Sequence, residues 1–523
     1  MRDLNDFEKQ MLIYRIDNLK NLGNKEFMVA FVGLVNDYNL IQKEDFEHLQ
    51  DHDWCRDQFK HEYTVIKPLS KNVSDALVEE KKDNTGRQRY YDNVFYLGGK
   101  NVLLSSEWYD GKGKKPDNRS GFVDWLRSLV DEKYNISEKS TNNTTNITKL
   151  DCSYRHLPYL TALRTKPFML LAGISGTGKS RIVRELAKAC WKEGDEEYGK
   201  NNPKNFCMVQ VKPNWHDSSE LIGYVSRING EKYVVGPFLR FLAKAINDPD
   251  TPYFLCLDEM NLAPVEQYFA EYLSVIESRK LNADGSISTD PIVPYENTEA
   301  YGTLIDQLFY DDADRKEYKS ETGTKRLTIP QNLFVIGTVN MDETTFSFSR
   351  KVLDRAMTIE MNEVDLHGGL TDEGSEIGYI GNSIIGNAVE GKDVYAGNKD
   401  LCDQVLTYLE KVNTVLEGTP FKIAYRTRNE FLLYAVNRQL LDKDSQLWQT
   451  LDEMTSMKIL SRIEGDSERT KKVLEELKAL VDEEINKAIP EPEDGKEKLK
   501  SISALKIKEM LEKLSSGYTS YWA

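Results

Sequence analysis

The chain has 523 residues, of which 40% are hydrophobic and 29% are charged, and its formal net charge is −16. This length and composition predict a globular protein of two to four domains with real hydrophobic cores. The acidic balance argues against a protein that binds nucleic acid through an overall basic surface. It leaves room for a local basic face, because the charges of residues 1–150 nearly balance.

The cysteines and the apolar runs indicate the cellular compartment in which the protein is expected to lie. No two cysteines form a CxxC pair, which predicts reduced thiols and argues against a disulfide framework or a zinc site. The first twenty residues are charged and amphipathic, unlike a signal peptide, and no run approaches the length of a membrane span. We therefore expect a cytoplasmic protein of a bacterium or archaeon with no membrane partner. The cysteines are Cys55, Cys152, Cys190, Cys207, Cys256 and Cys402.

Residues 1–133 are predicted to form a separate α+β domain that recognises a target, either DNA or protein. A strand-like stretch, "DNVFYLGGKNVLLSSEWYDG", precedes "SGFVDWLRSLVDEKY", which has helical spacing. Residues 134–150 are rich in Ser, Thr and Asn and poor in apolar groups, so we expect a linker.

Short apolar runs alternate with helical patterns across residues 151–362. This alternation predicts an α/β core with a parallel sheet covered on both faces. Looser stretches at about 281–326 and 363–398 are expected to be surface insertions. Residues 399–523 have helical patterns, and Ile507, Met510, Leu511 and Leu514 define one packed face of the last helix. The runs are "FMLLA" (168–172), "FCMVQV" (206–211), "YFLCL" (253–257), "LFVIGTV" (333–339) and "AMTIEM" (356–361).

"GISGTGKS" (173–180) fits the phosphate-binding pattern GxxxxGK[ST] without a mismatch, between a predicted strand and a predicted helix. Loop N–H groups and the helix N-terminus are expected to bind phosphate oxygens. Lys179 would reach the β- and γ-phosphates, and the Ser180 hydroxyl would bind Mg²⁺. The residues predicted to bind the nucleotide are Gly173, Ile174, Ser175, Gly176, Thr177, Gly178, Lys179, Ser180 and Arg181.

"YFLCLDEMN" carries an acidic pair to the end of another predicted strand. Asp258 is expected to hold Mg²⁺ through water, and Glu259 to orient and polarise the attacking water. Asn340 closes the next strand, where an uncharged amide could touch the γ-phosphate or that water. Arg350 and Arg355 follow and are candidates for an arginine finger supplied to a neighbouring subunit.

The order of phosphate loop, acidic strand, Asn-ended strand, arginines and helical region resembles the AAA+ ATPases. "SELIGYVSRINGEKYVVGPFLRFLAKA" (219–245) is similar to the dynein-related and MoxR branch, in which a β-hairpin interrupts the second helix. Asn229-Gly230 is a strong turn signal for that hairpin. Within the branch, "VNMDETTFSFSRKVLDRA", "AYRTRNE" (424–430) and the ending "GYTSYW" resemble the McrB-like group.

This resemblance covers about 160–523 and implies an AAA+ P-loop core with a helical lid in a homo-oligomeric, commonly hexameric, ring. It implies that Arg426 is the sensor arginine of the lid, with Arg428 as the alternative. It also implies GTP as substrate, although ATP fits the residues nearly as well, and a separate McrC-like nuclease subunit. The block after Asn340 departs from the group, since Met341 to Thr345 contain no arginine.

Two interpretations of the first domain stay open. Basic residues beside Tyr90, Tyr91, Trp108 and Tyr109 suit contact with DNA phosphates and stacking on bases, but the same pattern fits a core with a solvated loop.

Pro116-Asp117 followed by "DEK" (131–133) mimics a nuclease pattern, but its helical spacing indicates chance.

The chain is thus expected to be the motor of a restriction or phage-defence system, with a MoxR-like protein remodeller as the alternative. A nucleotide-dependent switch with little hydrolysis is a third interpretation, and the intact Glu259 and Asn340 argue against it.

Overall fold

The computed structural model forms two compact units, Met1–Thr148 with Ala283–Ser286, and Lys149–Asn282 with Ile287–Ala523. The predicted linker over 134–150 lies outside the described residues. The described residues are 12–13, 15–16, 19–38, 40–69, 78–82, 86–97, 99–109, 117–133, 156–228, 230–282, 285–323, 325–341, 346, 348–362, 377–490 and 499–522.

The first unit has the expected α+β composition. Its three-stranded antiparallel sheet has the order β1-β3-β2, and its core is a set of aromatic rings packed edge to face around the buried Phe122. The predicted helix over "SGFVDWLRSLVDEK" is present. The elements are β1 (Ile66–Pro68), β2 (Phe95–Leu97), β3 (Lys100–Leu104), α1 (Asn24–Tyr38), α2 (Lys43–His48), α3 (His52–Phe59) and α4 (Arg119–Lys133).

A five-stranded parallel sheet forms the centre of the second unit, and the five apolar runs supply its strands. The strand order is β14-β4-β13-β8-β5. Both faces of the three central strands are buried, which explains why their sequences are continuously apolar rather than alternating. The strands are β4 (Phe168–Gly173), β5 (Phe206–Gln210), β8 (Tyr253–Asp258), β13 (Leu333–Asn340) and β14 (Met357–Glu360).

The register of this sheet brings polar residues to one edge. Asn340 of β13 pairs with Gly173 of β4, while Asp258 ends the other neighbour of β13. Carboxyl ends of parallel strands are the usual ligand site of α/β sheets.

Helices and small hairpins surround the sheet, including the predicted hairpin of β6 and β7, although Asn229 of its turn lies outside the described residues. The elements are β6 (Gly223–Ser226), β7 (Lys232–Val235), β9 (Lys280–Leu281), β10 (Ile287–Ser288), β11 (Pro291–Val293), β12 (Leu327–Thr328), α5 (Leu157–Thr165), α6 (Lys179–Lys188), α7 (Pro237–Asn247), α8 (Val265–Tyr268), α9 (Ala270–Ile276), α10 (Glu299–Leu308), α11 (Asp312–Tyr318) and α12 (Arg350–Leu353).

Both predicted surface insertions contain buried core residues, so the prediction is wrong at those positions. In 281–326, Tyr301, Leu304 and Ile305 form the buried face of α10. In 377–390, Ile380 and Ile384 are buried in the main hydrophobic core. Residues 363–376 lie outside the described part of the chain.

The C-terminal region is helical, as expected. A short π-helical turn, Thr455–Ile459, follows α16, and the C-terminal strand pairs with residues 464–465. The elements are α13 (Gly391–Tyr395), α14 (Lys399–Val415), α15 (Tyr425–Leu441), α16 (Leu447–Met454), α17 (Glu468–Glu484), α18 (Ile502–Leu514), β15 (Glu464–Gly465) and β16 (Thr519–Ser520).

The cysteines of the described residues, Cys55, Cys190, Cys207, Cys256 and Cys402, are all free thiols. No described helix combines the length and apolarity needed to span a bilayer.

Candidate nucleotide-binding site

The phosphate-binding loop joins β4 directly to α6. Gly176 and Gly178 have φ angles of 85° and 86°, which a residue with a side chain rarely adopts. A Cβ at Gly173 would lie 2.6 Å from the carbonyl oxygen of Met361, so this position must also lack a side chain. The loop is partly exposed from Ile174 to Gly178, and Arg181 is exposed on the first turn of α6. Its open backbone suits contact with an anion.

Lys179 is buried at the start of α6, and its ammonium is directed back onto the loop. Nζ donates to the carbonyl oxygens of Gly173 (2.9 Å) and Ile174 (2.6 Å). These two contacts offset the cost of burying the charge. To contact phosphates, the side chain would exchange these carbonyl oxygens for phosphate oxygens.

Ser180 and Asp258 meet where β8 ends, as the sequence predicts for a shared Mg²⁺ site. The Ser180 hydroxyl donates to Asp258 Oδ1 at 2.5 Å, and the Thr338 hydroxyl donates to the same oxygen at 2.8 Å. Hydroxyl and carboxylate oxygens side by side are ligands that Mg²⁺ accepts. Among the described residues no cluster of three or more His, Cys, Asp or Glu could hold a metal ion. A magnesium ion here would therefore depend on nucleotide and water oxygens as well.

Glu259 adopts a left-handed backbone, with φ 54° and ψ 51°. Such a conformation costs roughly 1–2 kcal/mol in a residue with a Cβ. The Glu259 N–H donates to the Thr338 hydroxyl at 2.9 Å, and the Asn340 amide donates to Glu259 Oε1 at 3.3 Å. The strained turn and these two contacts hold Glu259 beside the end of β13.

Two residues that our sequence reasoning missed complete this arrangement. Thr338 lies in an apolar strand, where its hydroxyl gave no separate signal. Gly337 lies against Met260, and a Cβ at Gly337 would be 2.3 Å from the Met260 sulfur. A glycine inside a strand is the signal that indicates such a close approach.

Arg355, one of the two candidate fingers, and Arg426, the predicted sensor arginine, share one carboxylate. Glu277 pairs with Arg426 of α15 (2.5 Å) and with Arg355 (3.8 Å). Lys166 is 3.5 Å from the same carboxylate. Glu277, the residue after α9, was not singled out from the sequence.

Arg350 and Arg428 have different surroundings. Arg350 is 43% exposed, 3.9 Å from Glu464, and its guanidinium lies over the Phe421 ring. Arg428 lies over the Tyr425 ring and donates to the side chain of Asn429. Arg350 is therefore the more accessible candidate for a contact with another chain, since the Arg355 side chain is 24% exposed.

Buried charges connect the arginine-bearing segment to the C-terminal helices. Lys458 of the π-helical turn donates to the carbonyl oxygens of Asp354 (3.2 Å) and Ala356 (2.8 Å) and pairs with Glu430 at 2.8 Å. Burial raises the pKa of Glu430, but Lys166 and Lys458 outweigh that effect and hold it below its usual value. This network fixes the segment that carries Arg355.

The aromatic residues considered for base stacking in the first unit are mostly core. Tyr90 and Trp108 are 6% and 1% exposed, so neither can stack on a base in this fold. Both rings therefore belong to the packed core, which was the alternative interpretation of this pattern. Tyr91 and Tyr109 are half-buried, and the lysine-rich residues 110–116 lie outside the described part of the chain.

The described residues of the nuclease-like pattern lie at the two ends of helix α4, and Pro116 lies outside the described part of the chain. Asp117 accepts from the N–H groups of Arg119 and Ser120 at the start of α4, and residues 131–133 lie in the last turn of that helix. Asp117 therefore acts as a helix cap, as the sequence interpretation of a chance match expects.

Family comparisons match two parts of the chain. Residues 168–296 match the AAA domain (dynein-related subfamily), and residues 382–518 match a domain of unknown function, DUF8727. Over 210 residues the chain is 24% identical to the type IV methyl-directed restriction enzyme EcoKMcrB subunit of Escherichia coli (strain K12). That alignment covers 40% of this chain and 37% of the relative, so the likeness spans little more than a third of that protein.

Two solved structures resemble the chain weakly. A putative ATPase from Cytophaga hutchinsonii ATCC 33406 has a TM-score of 0.32 and 16% identity, over 60% of this chain and 83% of that chain. NtrX from Brucella abortus in complex with ADP has a TM-score of 0.19 and 15% identity, over 78% of this chain and 68% of that chain.

The sheet order, the phosphate loop and the family matches agree with the expectation from the sequence. Residues 168–296 therefore belong to the dynein-related subfamily of AAA domains, and the chain resembles the McrB subunit over the aligned 210 residues.

Proposed function

We propose that this protein hydrolyses the β–γ phosphoanhydride of ATP or GTP as the ring-forming motor of a restriction or phage-defence system. One observation carries the proposal: a phosphate loop, a Ser180–Asp258 pair and a Glu259–Asn340 pair converge at one edge of the sheet. Binding alone would need the first two, whereas hydrolysis also needs the third.

The proposed mechanism assigns a role to each group. Loop N–H groups and the N-terminus of α6 hold the phosphates, and Lys179 moves from the loop carbonyl oxygens to the β- and γ-phosphates. Ser180 and Asp258 would hold Mg²⁺, which supplies positive charge to the phosphate oxygens. Glu259 orients the attacking water and accepts its proton. Asn340 holds the Glu259 carboxylate in position by a neutral hydrogen bond.

The arginines suggest that the complete site needs a second chain. Neither Arg350 nor Arg355 has a contact with its own phosphate loop among the bonds of the described residues, and Arg350 is exposed. We propose that one of them contacts the nucleotide of a neighbouring subunit in a ring, commonly a hexamer. Arg426 would leave Glu277 and contact the nucleotide within its own subunit when the lid closes.

The restriction role rests on the E. coli relative, whose name describes a methyl-directed restriction enzyme subunit. By analogy, this chain would bind DNA through its first domain and work with an McrC-like nuclease. Burial of Tyr90 and Trp108 removes two of the groups considered for DNA contact. That burial favours a second candidate, a MoxR-like ATPase that remodels proteins.

Phosphate release from the purified chain tests both candidates. We would supply ATP and GTP separately, each without DNA, with unmethylated DNA and with methylated DNA, and use Lys179→Ala as the blank. Turnover by the native chain that is absent from Lys179→Ala supports an NTPase, and no turnover under any condition contradicts it. Stimulation by DNA favours the restriction motor. Turnover indifferent to DNA favours the remodeller.

A further inference from the structure

The peptide unit between Gly173 and Ile174 is held from both sides. Its carbonyl oxygen accepts from Lys179 Nζ at 2.9 Å and from the Met341 N–H at 3.1 Å. Its N–H donates to Asn362 Oδ1 at 3.0 Å. This peptide is the first of the phosphate-binding loop, so its orientation sets the direction in which the loop leaves β4.

Asn362 is linked in turn to the C-terminal helix α18. Its amide nitrogen donates to Glu360 Oε1, and the same oxygen accepts from Lys506 Nζ at 2.8 Å. The Asn362 side chain therefore bridges the loop and a charged pair. Since Asn362 is exposed, its amide would rotate freely without these two partners.

Lys506 is held in one position by its surroundings. Its side chain is 3% exposed, it makes a second ion pair with Glu509 at 3.1 Å, and its ammonium lies 4.6 Å from the centroid of the buried Tyr521 ring. A buried ammonium is tolerated when it is paired in this way. The aromatic C-terminal ending thus packs against the cation that orients Glu360.

We propose that Asn362 and Lys506 are positioning residues for the phosphate-binding loop, so that helix α18 sets the affinity of the site for nucleotide phosphates. This inference rests on the proposed nucleotide binding. It gives a role to part of residues 382–518, whose family match describes no function.

We call the chain of contacts from Ile174 through Asn362 and Glu360 to Lys506 the relay. Its position predicts which step of the reaction it affects. The Asn362 contact reaches the loop at Ile174, whereas the Glu259 contacts are with Asn340 and Thr338. A loop already held in its binding orientation loses less conformational entropy when phosphates bind. Loss of the relay should therefore weaken binding and leave the chemical step almost unchanged.

The test measures nucleotide affinity and loop protection in the full chain. Kd for fluorescent ATP and GTP analogues, KM and kcat would be measured for the native protein, Asn362→Ala, Lys506→Met and Lys506→Arg. Lys508→Met is the matched control, because Lys508 lies on the same helix with its side chain 68% exposed. Hydrogen–deuterium exchange of the peptide over 168–180 would be measured without nucleotide.

We expect Kd and KM to rise about fivefold in Asn362→Ala and Lys506→Met, as for one lost hydrogen bond, with kcat within about twofold. The 168–180 peptide should exchange faster in both variants. Lys506→Arg should recover much of the affinity, and Lys508→Met should match the native chain. Because Asn362 is exposed, the Asn362→Ala variant should fold even if the Lys506→Met variant does not.

Two outcomes overturn the proposal: unchanged Kd and exchange in Asn362→Ala, or a fall in kcat with Kd unchanged. If the native chain binds neither nucleotide, the proposed function fails instead. The exchange measurement still tests the relay in that case, since it is made without nucleotide.

Discussion

The Asn340 amide nitrogen lies 3.3 Å from Glu259 Oε1, across the ends of two neighbouring strands. An uncharged donor suits this position because it orients the carboxylate without neutralising it. An arginine or lysine in its place would form an ion pair with the carboxylate and weaken it as a proton acceptor. The residue pair therefore explains why an amide, rather than a cation, closes this strand.

Glu259→Gln should bind nucleotide with near-native affinity and lose at least about 100-fold in turnover, because the amide cannot accept the proton of water. Glutamine has the same shape, so Asn340 keeps a side-chain oxygen to contact. Single-turnover phosphate release and a fluorescent-nucleotide Kd would separate the two effects. Native turnover in this variant would remove Glu259 from the catalytic role.

Thr338→Val should slow turnover and weaken magnesium-dependent nucleotide binding, each about 10-fold. The change removes the hydroxyl that contacts Asp258 and leaves the Glu259 N–H without its acceptor. Thr358→Val is the matched control, because the buried Thr358 hydroxyl of β14 has no hydrogen-bond partner. The comparison is made by titrating Mg²⁺ in both variants. Equal effects of the two substitutions would show that Thr338 acts only through packing.

The parts of the fold that could be predicted from the sequence are those encoded locally. The strands are continuous apolar runs, and the phosphate loop is a glycine spacing between a strand and a helix. Asn362 contacts Ile174 from 188 positions away, so no local pattern marks that bond. The same holds for Glu277, whose partners Arg355 and Arg426 come from later elements.

One wrong prediction could have been avoided by a closer reading of the local sequence pattern. Tyr301, Leu304 and Ile305 have helical spacing, which could have identified α10 inside the stretch predicted to be a surface insertion. Burial of Tyr90 and Trp108 could not be read from the sequence. Aromatic residues beside lysines look alike whether the rings face the core or the solvent.

Mixing two inactive variants identifies the arginine finger. Arg355→Ala keeps Glu259, and Glu259→Gln keeps Arg355, so mixed rings would contain sites with both groups. If Arg355 acts on a neighbour, each variant alone should be inactive and the mixture should recover part of the native turnover. The same experiment with Arg350→Ala tests the more exposed candidate. If turnover recovers when Arg350→Ala is mixed with Glu259→Gln, and Arg355→Ala alone has normal turnover, the finger is Arg350.

His61 should make the first unit less stable in mild acid. The ring is fully buried, with Nδ1 donating to the Tyr63 carbonyl oxygen (2.7 Å) and Nε2 accepting from the Ser105 hydroxyl (3.2 Å). Burial lowers the pKa of His61 from 6.5 to about 4, although the Tyr63 contact opposes this shift.

Between pH 6.5 and 4, the unfolded chain therefore binds a proton that native His61 excludes, and the free energy of unfolding falls as the pH drops through this window. The full loss is about 3 kcal/mol, and none is expected above pH 6.5. Urea unfolding at pH 7 and pH 5 should show a smaller acid loss in His61→Gln than in the native chain. His52→Gln is the control, because the His52 side chain is 53% exposed. An equal acid loss in His61→Gln and the native chain would rule out His61 as its source.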